Sequence, residues 1–223
     1  MISICIISIG DELLNGFTID TNSQWIKEKF SDFNIDIKKS LVLPDSKEAI
    51  LKELSFCLDE DYNYIFISGG LGPTHDDITK ECLSDFFNMP LIIIDKHLLH
   101  LKKKFGSYNK KNIDPKKLQG IENSIETQAK ILKNSQPINN PIGTALGMTW
   151  EINKTRIFVL PGVPKELRCM IDDIVIPNYI SSDKSLLIKT LRTTGITETR
   201  LFHLVEDIIN RNKMLKFSFL PHF

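Results

Sequence analysis

Gly69-Gly70-Leu71-Gly72-Pro73-Thr74-His75-Asp76-Asp77-Ile78-Thr79 follows directly on the apolar run Tyr64-Ile65-Phe66-Ile67-Ser68 and leads into a segment of helical periodicity. A buried strand that breaks on glycines and then turns into a helix is the unit from which open α/β sheets are built. Glycines there tolerate positive φ and let a ligand approach the backbone closely, while the start of a helix offers unpaired N–H groups to an anion. Such loops lie beyond the carboxyl ends of the strands, where α/β sheets bind their ligands.

The rest of the chain repeats the pattern outward from this point. Residues 2–9 and 37–43 read as strands before it, and 91–94, 129–132, 147–151 and 156–160 as strands after it. Trp25, Ile26 and Phe30 mark the face of one helix, beginning near Asp20-Thr21-Asn22; Ile50, Leu51, Leu54 and Leu58 mark another; Ile78, Cys82, Leu83, Phe86 and Phe87 a third. Leu167, Met170, Ile171 and Ile174 give a further helix, which Pro177 is expected to close. Asp45 and Glu48 have the spacing of a capping box, and so do Thr74 and Asp77. Residues 151–156, centred on Asn153-Lys154, read as a hairpin, which makes the otherwise parallel sheet mixed. The expected fold is α/β, three layers in α/β/α order around a mostly parallel mixed sheet.

Residues 181–185, Ser-Ser-Asp-Lys-Ser, form a polar run at which a boundary is placed: a main domain over 1–180 and a small β-α-β piece over 186–223. That piece, with strands at 186–193 and 216–220 around a helix carrying Leu201, Leu204, Val205, Ile208 and Ile209, is too small to be stable without a partner surface. Lys102, Lys103, Lys104, Lys110 and Lys111 read as a solvated helix face and loop.

The 223 residues carry 28 Lys+Arg against 28 Asp+Glu, which leaves no cationic surplus for nucleic acid or an anionic membrane. No apolar run approaches the roughly 20 residues of a membrane helix, so a soluble, cytoplasmic protein is expected. Cys5, Cys57, Cys82 and Cys169 are distant in sequence and read as small buried hydrophobes in a reducing compartment.

Local charge is more informative than net charge. A phosphate loop of the Walker type places Lys beside its glycines, whereas Asp76 and Asp77 close this one. Carboxylates facing a phosphate repel it by on the order of 1 kcal/mol per pair even in water. A divalent cation shared between the carboxylates and the phosphate resolves the conflict and adds Lewis-acid chemistry. Capping accounts for one of the two aspartates, and an i,i+4 pair with Lys80 would occupy Asp76. The turns at Gly10-Asp11-Glu12, Pro44-Asp45, residues 140–145 and residues 160–164 converge on the same sheet edge. His75 is a further candidate acid or base beside the loop.

Together these strings resemble the N-terminal domain of the CinA family, which shares its fold with the molybdopterin-binding proteins Mog and MoaB and with a domain of FAD synthase. Residues 9–14 are similar to the family's G-[TD]-E-L-L start and Asp20-Thr21-Asn22 to its D-T-N turn. Residues 69–81 resemble G-G-L-G-P-T-x-D-D-x-T-x-E, residues 140–147 N-P-x-G-T-A-P-G, and residues 160–166 L-P-G-x-P-x-E. Leu146 stands where the family usually has Pro, which alters the stiffness of that loop. The likeness covers about residues 1–180, and Thr194-Gly195-Ile196-Thr197-Glu198 looks like the start of the CinA middle domain. With the chain ending at Phe223, the nicotinamide-nucleotide deamidation associated with the CinA C-terminal domain is not expected of it.

The resemblance implies metal-dependent hydrolysis of a nucleotide pyrophosphate of the ADP-ribose or FAD class. Its alternatives are molybdopterin binding or adenylyl transfer in molybdenum cofactor synthesis, and a non-catalytic nucleotide-binding module. Asp77 and Asp45 match catalytic positions, and Asp76 with Asp77 would hold the cation, of the Mg²⁺ or Co²⁺ class, with K⁺ as a further candidate. Gly69, Gly70, Gly72, Thr74, Glu12, Asn22, Gly143, Thr144, Pro161 and Gly162 would contact the substrate. A homo-oligomer, dimer or trimer, is implied, with a small-molecule nucleotide as the partner.

Overall fold

The computed structural model describes residues 2–31, 33, 35–106, 115–180 and 189–220. These fall into two compact units, residues 1–186 and 187–223. The first contains β1 (Ser3–Ile9), α1 (Asp11–Leu14), α2 (Thr21–Ser31), β2 (Asp36–Leu43), α3 (Lys47–Asp59), β3 (Tyr64–Ser68) and α4 (Thr79–Phe87). It continues through β4 (Leu91–Ile93), α5 (Asp95–Gly106), α6 (Pro115–Gln128), β5 (Lys130–Leu132), β6 (Gln136–Ile138), β7 (Gly147–Ile152), β8 (Thr155–Leu160), α7 (Pro164–Met170) and α8 (Ile176–Tyr179).

Six strands form one sheet in the order β2-β1-β3-β8-β7-β6, and β4 pairs with β5 in a separate antiparallel ribbon. The strands β2, β1, β3 and β8 run parallel. The turn at Asn153, whose φ is 55°, reverses the chain so that β7 lies antiparallel to β8, as the hairpin reading anticipates. Alternation along β1 divides the core. Cys5, Ile7 and Ile9 face α3 and α4, packing with Ile50, Leu54 and Leu83. Ile4 and Ile6 face α2 and α7, packing with Ile26, Phe30 and Leu167. Three layers in α/β/α order result, as the sequence implies.

This topology sets where a site can be. The parallel strands β1, β2, β3 and β8 deliver the residues after Ile9, Leu43, Ser68 and Leu160 to one edge of the sheet. Because β7 runs the other way, the loop that leads into it, residues 139–146, arrives at that same edge.

Several local readings are corrected. Asp45 does not cap α3: the cap position is Ser46, without a side-chain hydrogen bond, and the Asp45 carboxylate accepts from the Asp11 N–H at 3.0 Å instead. Pro177 does not end its helix. A π-helical turn, Ile171–Val175, widens the backbone just upstream, and the chain continues helically through Tyr179. Cys169 is only partly buried, its thiol donating to Asp173 at 3.1 Å, and Cys5 and Cys57, 52 residues apart in sequence, meet with sulfurs 3.5 Å apart in the core.

In the second unit, α9 (Glu198–Arg211) forms on a Thr197 N-cap. Residues 189–193 and 216–220 are not strands, a correction with a simple cause: a strand needs a neighbour for its N–H and C=O groups, and 216–220 and 189–193 are not paired with one another. Residues 181–188, with the polar run and the first part of the expected strand, and Lys110 and Lys111 lie outside the described residues. Lys102, Lys103 and Lys104 are on α5 and exposed. No helix among the described residues is long and apolar enough to cross a membrane.

Candidate functional site

The glycine loop is built by backbone conformations that favour glycine, at points where a side chain would also collide. Gly69 has φ of 102°, and a Cβ there would lie 2.2 Å from the Ile9 carbonyl oxygen. Gly70 has φ of 65°, and its Cβ would meet the Thr79 hydroxyl at 2.1 Å. The Thr79 hydroxyl in turn donates to the Gly69 carbonyl at 3.0 Å, and the Gly69 N–H donates to the Leu160 carbonyl at 3.2 Å. Strand β3 is therefore stitched at its end to β1, β8 and the first turn of α4.

Asp77 organises the loop rather than capping the helix. One carboxylate oxygen accepts from the Gly72 N–H at 2.8 Å; the other accepts from the Thr74 N–H at 2.9 Å and from the Thr74 hydroxyl. Three of its roughly four acceptor sites are thus spent on the loop itself. The N–H groups of Gly70 and Leu71 find no hydrogen-bond partner among the described residues. They are open donors beside the one held by Asp77.

A cleft of about 570 Å³ opens over this loop. Asp45, Asp76, Asp77, Glu12, Gly69, Gly70, Gly72, Thr144, Pro161 and Gly162 line it, so ten of the expected site residues come together. Thr74 acts through Asp77. Asn22 stands behind the cleft wall, 8% exposed, its amide donating to the Gly162 carbonyl at 2.7 Å. Gly143, half-buried, is not among the lining residues; its N–H is held by Asn140 at 2.7 Å. His75 is not in the cleft; its side chain is 99% exposed and stands 3.8 Å from Asp76.

Glu166 and Gln128 are among the lining residues to which the sequence reading assigns no role. Glu166 belongs to the quoted 160–166 string, but its place is set by packing: it accepts from the Asn140 amide at 2.6 Å and covers Gly143, whose Cβ would come within 2.1 Å of it. Gln128 has no sequence signal at all. It ends α6, and its carbonyl accepts from the Leu146 N–H at 3.2 Å, tying the segment that carries Thr144 and Ala145 to α6. Behind it the ammonium of Lys80, 1% exposed, donates to the Thr127 carbonyl at 2.9 Å, which replaces the expected surface pair with Asp76. His97 braces the same loop through the Thr144 carbonyl at 2.8 Å, and burial holds its imidazole below the ordinary histidine range.

Electrostatically the cleft is acidic. Glu12, Asp45, Asp76, Asp77 and Glu166 line it, and no Lys, Arg or His among the described residues does. Burial, followed by the negative charges of Asp11, Glu12 and Asp76, pushes the Asp45 carboxyl above its usual range, against the opposing pull of the Asp11 N–H. With the folded pKa above the unfolded one, ionised Asp45 costs stability, a cost absent in acid and acquired as pH rises through the carboxylate range. Asp45→Asn keeps the acceptor for Asp11 and should raise the melting temperature at pH 7, with the gain vanishing toward pH 4. An equal gain at both pH values would contradict this reading.

Among the described residues no three His, Cys, Asp or Glu side chains come close enough to hold a metal by themselves. The oxygen donors present are hard ones, suited to Mg²⁺ and accepted by Co²⁺, and a substrate's phosphate oxygens would have to complete the set.

The family model described as "Probable molybdopterin binding domain" matches residues 5–180, which include all but the first two residues of the sheet and the whole cleft. The chain belongs to the molybdopterin-binding domain family. Within it the chain is 36% identical over 219 residues to a CinA-like protein of Flavobacterium psychrophilum, covering 97% of this chain and 50% of that protein. It is 34% identical over 209 residues to a putative competence-damage inducible protein of Clostridium botulinum, covering 92% and 48%. The chain thus spans about half the length of the curated relatives it matches. Among solved structures, CinA of Thermoplasma acidophilum superposes with a TM-score of 0.65 at 29% identity, covering 78% of this chain and 96% of that one. These findings bear out the CinA-type resemblance of the molybdopterin-binding fold.

Proposed function

We propose that this domain binds the phosphates of a nucleotide through the glycine loop and, with a divalent cation, cleaves a pyrophosphate of the ADP-ribose or FAD class. One observation carries the proposal: Gly70 and Leu71, whose N–H groups find no hydrogen-bond partner among the described residues, line a cleft whose charged side chains are all carboxylates. Backbone N–H groups suit a phosphate, and five carboxylates repel it unless a cation stands between them. When bound, that cation would polarise a phosphoryl oxygen and lower the pKa of a bound water. Asp76 and Asp45 would hold it, while Asp77 fixes Gly72 and Thr74 in place. Glu12, another lining residue, would orient water or the ribose.

The test is release of AMP from ADP-ribose and from FAD with Mg²⁺ or Co²⁺. Wild type should release it, chelator should stop it, and Asp77→Ala should slow it by about 100-fold, because a loop misplaced by about 1 Å loses the attack geometry. Silence from both substrates with both ions sinks the hydrolase reading. The family match favours a second one, binding of molybdopterin or transfer of an adenylyl group to it by the same loop. A calorimetric titration with the pterin that gives no heat would remove it.

A further inference from the structure

We infer that the strap between α1 and α2 is a subsite for the planar heteroaromatic ring of the ligand, with Phe17 as its contact surface. This rests on the reading that the cleft seats a phosphate, and it adds what the rest of the ligand must be. The strap, residues 15–20, is fastened to the cleft at both ends. On one side the Thr18 N–H donates to the carbonyl of Glu12, which lines the cleft, at 3.1 Å. On the other, the Asn22 amide holds the carbonyl of Gly162, another lining residue, at 2.7 Å.

Phe17 and Ile19, on either side of the Thr18 anchor, do nothing for the core, and neither does Val163 beside Gly162. Phe17 is 85% exposed and Ile19 78% exposed, and Val163, which lines the cleft itself, is 52% exposed. Gly16, with φ of 73° and nothing within 4 Å of the point a Cβ would occupy, makes the bend that presents Phe17 without crowding it. A single exposed apolar residue needs no explanation, but a run of them on a strap tied to a charged cleft does. The cleft floor offers backbone donors and carboxylates, which suit the phosphate end of a ligand. Val163 adds an aliphatic side chain to that lining, and the strap tied to it carries the aromatic Phe17 and the aliphatic Ile19, which suit a ring. At about 570 Å³ the cleft also exceeds what a bare pyrophosphate requires and falls in the range that encloses an organic ligand.

Stacking of a base on an aromatic side chain is worth roughly 1–3 kcal/mol, so removal of Phe17 should weaken a ring-bearing ligand by about tenfold or more. The experiment is calorimetry on wild type, Phe17→Ala and Phe17→Tyr with three probes in Mg²⁺: AMP, ribose 5-phosphate and inorganic pyrophosphate. Expected is a loss of about tenfold or more for AMP in Phe17→Ala, full retention in Phe17→Tyr, and unchanged affinity for both ringless probes in all three proteins. The inference is overturned if Phe17→Ala binds AMP as wild type does, if it weakens all three probes alike, or if wild type does not bind AMP. It is also overturned if light scattering shows that Phe17→Ala breaks an oligomer while AMP affinity stays the same, since the strap is then an interface between copies. AMP has no pyrophosphate bond to cleave, so a protein that never hydrolyses ADP-ribose or FAD can still pass this test. Failure of pyrophosphate to bind wild type would instead indict the phosphate seat.

Discussion

Gly69→Ala should cost the fold about 3 kcal/mol or more, close to 10 °C in melting temperature for a chain of this size. Two penalties add. An alanine at φ of 102° is strained by about 1–3 kcal/mol, and its methyl would sit 2.2 Å from the Ile9 carbonyl oxygen, a backbone atom that cannot rotate away. The ends of β1 and β3 must then separate, and both lie in the centre of the sheet. Overpacking of this kind costs a further 1–3 kcal/mol or so. Gly16→Ala is the matched control, since its φ is 73° but nothing lies within 4 Å of the added methyl. It should lose only the conformational part, about 1 kcal/mol. Urea unfolding of the two variants checks the difference; similar losses would mean that φ strain alone matters and that the β1–β3 contact is soft.

Lys80→Met should change how stability depends on pH. The Lys80 ammonium is buried under α4 with a single acceptor among the described residues, the Thr127 carbonyl, and burial lowers its pKa from 10.5 to about 8 despite the favourable charges of Glu81 and Asp77. A folded pKa below the unfolded one means that the unfolded chain binds more protons between about pH 8 and 10.5, so stability rises with pH across that window. At about 1.4 kcal/mol per unit the rise is about 3 kcal/mol, or roughly 6–12 °C. Other lysines bend the curve of both proteins, and the difference between wild type and Lys80→Met isolates this one. Melting curves from pH 7.5 to 10.5 should therefore show wild type gaining on the variant; parallel curves would show that the ammonium is better solvated than its surroundings imply.

Much of the site is legible along the chain because its parts are local. The bend at Gly69 and Gly70 needs positive φ, and a glycine pair after an apolar strand announces it. The converging turns at Gly10, Pro44 and Gly162 follow from parallel strands that all end at one edge. Asp45 illustrates the limit. Its capping-box spacing with Glu48 is real, but the parallel pairing of β1 with β2 brings it beside Asp11, 34 residues away, and the carboxylate takes that N–H instead. The same holds for Asp77, whose three acceptor bonds within the loop displace the capping role that spacing suggests.

The sequence by itself determined the α/β class, the strand–glycine–helix unit and the acidic character of its loop, since periodicity and turn chemistry are properties of neighbouring residues. Only the tertiary structure decided that Lys80 is buried against Thr127, 47 residues away, and that Gln128 and Glu166 join the cleft. It alone set Cys5 against Cys57 and tied the Phe17 strap to Glu12 and Gly162. Periodicity states which face of an element must leave water. It does not state what that face will meet, because the partner is chosen by the packing of segments that are distant in the chain.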